Sequence, residues 1–169
     1  GSQDYTVTIQ ILALMTALQE SVLKMYANSS VPESLNYPHD AVGNDHDSVN
    51  PFQQRPHWGT LAELMNLDYS IHAFYGGQSG PNGGSPRGLL DVPGWESMTP
   101  GKAAQTVQVS AFPDAYDKWE GAAETIINSM SGSIVCDGAG ISADAQQLAQ
   151  GLVTAIDGGR LTVFGAHEQ

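Results

Sequence analysis

Between residues 6 and 27 the apolar positions Ile11, Met15, Leu18, Val22 and Met25 recur at steps of four and three. That spacing puts them on one stripe of a helix, which Asn28-Ser29-Ser30 and Pro32 bring to a stop. The pattern then vanishes. Residues 28–58 hold few apolar side chains and many turn formers, among them Pro32, Pro38, Gly43, Asn44, Asn50, Pro51 and Pro56. A polar stretch of that length inside a compact domain is either functional or disordered. Its aromatics Tyr37, Phe52 and Trp58 argue for order, and a short hairpin is predicted over residues 48–54. Short helices are predicted over 60–65 and 70–75. The glycine-rich residues 76–88 read as a mobile surface loop. Thr99-Pro100-Gly101 opens a helix running to about Val109, with Pro at its first turn. Pro113-Asp114 opens a longer one running to about Met130.

The elements add up to a mainly α-helical domain over residues 4–131, with a long polar loop or small hairpin along one side. Small residues make 132–141 a linker. Residues 142–169 carry a final amphipathic helix, with Leu148, Leu152 and Ile156 on one face, and then a strand or ordered tail at 160–164. This last segment is expected to connect to a further domain.

Length and composition narrow the function. A chain of 169 residues suits one domain with an appendage. No run approaches the roughly 18 apolar residues of a membrane span. Gly1-Ser2 reads as a vector-derived scar, so an export signal is expected to have been removed upstream. Six Lys+Arg oppose eighteen Asp+Glu, a formal net charge of −12. Nucleic acids and anionic membrane surfaces are thereby excluded as partners, because both need clustered cations, and Lys24, Arg55, Arg87, Lys102, Lys118 and Arg160 are scattered. Cys136 has no partner for an internal disulfide.

Two features carry candidate chemistry. Glu20 stands near the end of the first helix, off the main stripe, with Ala17 and Leu23 at helical spacing. As a surface residue it would pair with Lys24 at i+4; desolvated by its apolar neighbours, it would have a raised pKa. The loop from Pro38 to Ser48 packs His39, Asp40, Asp45, His46 and Asp47 together. Such density suits an acidic solvated loop with Asx turns, or a metal ion, although the spacing is not that of a twelve-residue calcium loop. An acid on a helix end facing an acidic loop is also one way to build a glycoside-cleaving site, with one carboxyl protonated as proton donor and the other stabilising positive charge or activating water. Trp58, Trp95 and Trp119 suit either sugar stacking or the core, the core being the commoner fate. His57 and His72 have no evident partner in the sequence.

At Leu18-Gln19-Glu20-Ser21 the chain is similar to the Glu-Ser element on the catalytic helix of soluble lytic transglycosylases and goose-type lysozymes. Ser48-Val49-Asn50-Pro51-Phe52-Gln53-Gln54 resembles that superfamily's Gly-Leu-Met-Gln segment, and it follows Glu20 in the expected order. The stretch from Met15 to Glu120 is closer still to the lysozyme-like module of actinobacterial and phage cell-wall hydrolases, endolysins among them. The likeness rests on residues 28–39, Asp45-His46-Asp47-Ser48-Val49, Phe52-Gln53-Gln54-Arg55-Pro56, Val92-Pro93-Gly94-Trp95 and Ser110-Ala111-Phe112-Pro113-Asp114-Ala115-Tyr116.

The resemblance implies a mainly α (α+β) lysozyme-like fold and cleavage of the peptidoglycan glycan between N-acetylmuramic acid and N-acetylglucosamine, outside the cell, at the wall or on a virion. It makes Glu20 the general acid and places Gln53, with Phe52 and Gln54 beside it, along the substrate groove. Tyr116 takes the position of the groove tyrosine. Asp45 or Asp47 matches the Asp that goose-type lysozymes carry before the Gln segment. No cofactor and no metal is implied. The chain departs from the pattern at Val22, where Gly follows Glu-Ser in the family, and at Asn50-Pro51, where the family has Gly-Leu. Two rivals remain. One is a wall-binding or virion module with the same fold and no activity, motivated by those departures and by the acidity. The other is a metal-binding loop built on residues 39–47.

Overall fold

The computed structural model describes residues 2–110 and 114–131, with side chains at 7–110 and 114–128. The linker, the final helix and the strand or tail expected beyond residue 131 lie outside the described residues. What is described is mainly helical, with one small sheet.

Helix α1 (Ser2–Ser21) is the axis of the fold. It packs against the later helices α3 (Leu67–Tyr75), α4 (Pro100–Gln108), α5 (Asp114–Asp117) and α6 (Glu120–Ser131). The single stripe read from the sequence is too narrow: Ile9, Leu12, Ala13, Leu14, Met15, Thr16, Ala17 and Leu18 are all buried. A helix apolar on every side belongs inside, and the chain wraps the other helices around it. The Tyr75 hydroxyl fixes α3 to it by donating to the Ile9 carbonyl at 2.8 Å.

The helix also stops earlier than residue 27. Val22 and Leu23 turn left-handed, at φ 51° and 68°, and Val22 is exposed. The chain then enters β1 (Tyr26–Asn28), which runs parallel to β2 (Ala41–Gly43) in the register Tyr26 to Ala41 and Asn28 to Gly43. Parallel strands need a crossover of about a dozen residues, and residues 29–40 provide it with a 3-10 turn at Pro32–Asn36. Neither strand is long enough to show a period of two, so the sequence pattern gave no sign of them.

The predicted hairpin exists in reduced form. Val49 and Gln54 exchange both backbone hydrogen bonds, at 3.0 and 2.9 Å, and residues 50–53 turn between them. Capping accounts for the short helices that follow. The Thr60 hydroxyl and Glu63 carboxylate cap each other's backbone N–H at the start of α2 (Leu61–Leu64). Asn66 caps α3, which begins three residues before the predicted start, by accepting from the Tyr69 N–H. Thr99 caps α4, with Pro100 at its first position. The long helix expected from Pro113 is broken into α5 and α6.

The glycine-rich segment is a surface loop whose ends are clamped. The Asp91 carboxylate accepts from the N–H of Gly77 and of Gly88, at 3.1 and 2.9 Å. A side chain at Gly88 would collide with the backbone of Tyr75 and Gly76, so glycine is needed for the crossing. Among the described residues no helix is long and apolar enough to cross a membrane.

Candidate functional site

Glu20 occupies the last turn of α1, one residue before the helix ends. Its surroundings come from three directions. The Tyr116 phenol, on α5, donates to Glu20 Oε2 at 2.6 Å. Gln108, the last residue of α4, hydrogen-bonds the same carboxyl and also donates from Nε2 to the Phe52 carbonyl at 2.7 Å. The third contribution is long-range: the negative charge of Asp45 acts on Glu20. The pairing with Lys24 does not form, since the helix has ended before Lys24, and among the described residues no ion pair joins the two.

Burial is the largest influence on the Glu20 carboxyl and raises its pKa above the ordinary carboxylate value; the Tyr116 and Gln108 donors oppose the rise, and Asp45 adds to it. The balance is upward. Tyr116 is driven upward too, first by burial and then by its bond to Glu20 and by that residue's charge. Its phenol therefore keeps its proton and acts as a fixed donor.

The Glu-Ser element and the Gln segment are joined directly. Ser21 Oγ lies 2.8 Å from the Pro51 carbonyl and 3.0 Å from that of Ala17, sharing its proton between them. Pro51 has no N–H to offer, but its carbonyl is what the contact uses. Asn50 holds the turn from inside. It is fully buried, sits at φ 69°, accepts from the Phe52 N–H at 2.9 Å, and donates to Gln54 Oε1 at 2.9 Å and the Leu64 carbonyl at 3.0 Å. Gln53 follows at φ 55°, partly exposed, with its amide on the Asn50 carbonyl at 3.0 Å.

The expected groove residues divide. Gln53 and Tyr116 lie where a ligand or the acid can be met. Phe52 is fully buried and stacks on Phe74 at 4.8 Å, so its ring belongs to the core and its carbonyl alone serves the site. Gln54 is buried as well, with Oε1 accepting from Asn50 and Nε2 donating to the Ser70 carbonyl. Its amide ties the turn to α3 and faces inward.

The two aspartates also separate. Asp47 is held by Arg55, Nε to Oδ1 at 2.6 Å, and the guanidinium keeps its carboxyl below the usual range. Asp45 is exposed, bonded to His46 Nδ1 at 2.8 Å, and is the one whose charge reaches Glu20. Its loop is pinned by the buried Asn28 amide, which donates to the carbonyls of Asp45 and Ser48. Asp40 is spent on the Met25 N–H at 2.9 Å. The acids of residues 39–47 thus point to separate partners, and among the described residues no group of three or more His, Cys, Asp or Glu gathers for a metal ion.

Gln108 is the residue the sequence did not single out, because a Gln at a helix end has no distinguishing pattern. Beyond it lies a cavity of about 340 Å³, walled by Gln53, Arg55, His57, Trp58, Arg87 and Gln108 among others. Glu20 is not part of that wall; Gln108 stands between the two. Of the tryptophans, Trp95 is core, Trp58 is largely buried at the cavity edge, and Trp119, partly buried, donates to Gln19 at 2.9 Å. His72 Nδ1 is bonded to the Asp68 carbonyl of its own helix.

No family model matches the chain, and a search of the curated proteins finds no match to it.

Proposed function

We propose that the protein is a peptidoglycan-cleaving glycosidase of lysozyme-like fold, with Glu20 as general acid at the β-1,4 bond between N-acetylmuramic acid and N-acetylglucosamine. The observation that carries the reading is the state of Glu20: a partly buried carboxyl, its pKa raised by burial, held at 2.6 Å by a buried phenol. A proton donor working near neutral pH needs that environment. As the glycosidic bond breaks, Glu20 gives its proton to the leaving oxygen and becomes a carboxylate. Tyr116 and Gln108 already point donors at it and stabilise the charge that forms. Asp45 supplies negative potential toward the positive charge developing on the sugar. Gln53, at the exposed edge of the turn, is placed to accept or donate to the glycan.

Two routes share this acid. Water attack, assisted by Asp45, leaves a reducing end. Attack by the sugar's own C6 hydroxyl leaves a 1,6-anhydro end and needs no second carboxylate. Both act on the glycan strands of a cell wall, with the protein secreted to that wall or carried on a virion. The test is incubation of the protein with purified peptidoglycan, followed by mass spectrometry of the soluble products. Muropeptides with either end support the reading, and the end group identifies the route. Intact glycan with retained binding to the wall contradicts it and makes the protein a binding module.

A further inference from the structure

The cavity next to Gln108 has a charge unlike that of the rest of the chain. Over the whole protein acids outnumber Lys and Arg by eighteen to six, yet among the described residues no Asp or Glu lines this cavity, while Arg55, Arg87 and His57 do. Arg55 has its Nε on Asp47. Arg87 has no ion-pair partner among the described residues. It stands on the glycine-rich loop directly before Gly88, whose N–H the Asp91 carboxylate holds, so the loop is fixed where it presents Arg87. Trp58 gives the same cavity an apolar wall, and Gln53, Thr106 and Gln108 give it neutral hydrogen-bonding groups.

A planar guanidinium binds a carboxylate through two parallel hydrogen bonds, and a cavity of about 340 Å³ is the size of a single small-molecule site. Its position decides what carboxylate that is. Gln108 hydrogen-bonds Glu20 and walls the cavity as well, so a group bound there lies one side chain away from that carboxyl. We propose that the Arg55–Arg87 cavity receives the carboxylate-bearing peptide arm of the glycan cut at Glu20, an assignment that rests on the glycosidase reading. The cavity makes the protein selective for strands that carry free-acid arms and offsets the repulsion that a chain of net charge −12 exerts on an anionic polymer.

The test uses the full chain with Glu20→Gln, which binds without cutting. Three tetrasaccharide probes are titrated by calorimetry: one with free-acid peptide arms, one with the arm carboxylates converted to carboxamides, and one bare. The free-acid probe is expected to bind about tenfold tighter than the carboxamide probe, the scale of one charge-assisted hydrogen bond partly exposed to water. Adding Arg87→Ala brings that ratio close to one, and Arg87→Lys restores part of it. Equal affinity of the first two probes in the protein that keeps Arg87 overturns the assignment. So does an oligomer of glycerol phosphate that displaces the free-acid probe and binds more tightly, which would give the cavity to a phosphate polymer. Cleavage of strands with free-acid arms by the wild-type protein tests Glu20, so a silent cleavage assay condemns the glycosidase reading and the probe ratio condemns the cavity.

Discussion

The phenol of Tyr116 and the carboxyl of Glu20, 96 residues apart in the chain, meet at 2.6 Å. That contact and the charge of Asp45 pull the acid in opposite directions, the phenol lowering its pKa and Asp45 raising it. A general acid is active while protonated, so activity is lost as pH rises through its pKa. Tyr116→Phe removes the donor and is expected to move the alkaline limb of kcat/KM to higher pH. Asp45→Asn removes the like charge and is expected to move it to lower pH. A pair of pH–rate profiles checks this; shifts of the same sign in both variants would contradict the geometry.

Stability carries the same signature. The folded pKa of Glu20 is raised, so the folded state holds its proton more tightly than the unfolded one. The stabilising contribution is present below the unfolded value and is lost as pH climbs through the folded one. Glu20→Gln removes the cost of ionising a desolvated carboxyl. Its melting temperature should exceed that of the wild type at pH 7, and the two should converge near pH 4. Calorimetric scans at both values decide it, and a variant that melts lower at pH 7 would count against a desolvated acid.

Val22 occupies a left-handed conformation at φ 51° and is exposed. A side chain there costs about 1–2 kcal/mol, and more for a β-branched one, while glycine's extra freedom in the unfolded chain offsets about 0.5–1 kcal/mol. Val22→Gly is therefore expected to stabilise the protein by about 1 kcal/mol and to raise its melting temperature by about 3 °C. A lower melting temperature would mean that the turn after Glu20 is held some other way.

Asn50 and Asp47 differ in what their loss removes. Asn50 makes buried side-chain hydrogen bonds to Phe52, Gln54 and Leu64. Asn50→Gly tolerates the positive φ and should still cost about 3 kcal/mol, because buried partners are left unsatisfied. Asp47→Asn breaks only the half-exposed pair with Arg55 and should change stability by under about 1 kcal/mol. Chemical denaturation of the two variants checks the contrast; similar losses would place Asn50 outside the framework of the turn.

What the sequence made legible was local. Helices begin after Thr60 and Thr99 as expected, and Glu20 stands at a helix end as expected, whereas the Asn66 cap was passed over and α3 starts three residues early. The end of α1 was not legible, because nothing in Ser21-Val22-Leu23 announces a left-handed pair; the turn is closed by the Val22 N–H on the Leu18 carbonyl and the Leu23 N–H on that of Ala17, with Ser21 also bonded to Pro51. The strands at Tyr26–Asn28 and Ala41–Gly43 were missed because three residues show no alternation. Within the site, Gln53 and Gln54 look equivalent in sequence, and only the fold turns one outward and the other onto Ser70. Gln108 and Arg87 drew no attention because their meaning lies in what surrounds them.

The most direct measurement is kcat/KM for release of soluble fragments from purified glycan strands by the wild-type protein and by Glu20→Gln. Loss of a positioned general acid removes about 10²–10⁴-fold of rate, and the account predicts a fall in that range with Glu20→Gln still folded and still binding glycan. Equal rates in the two proteins would contradict it, since the proton would then come from somewhere other than the carboxyl that Tyr116 holds.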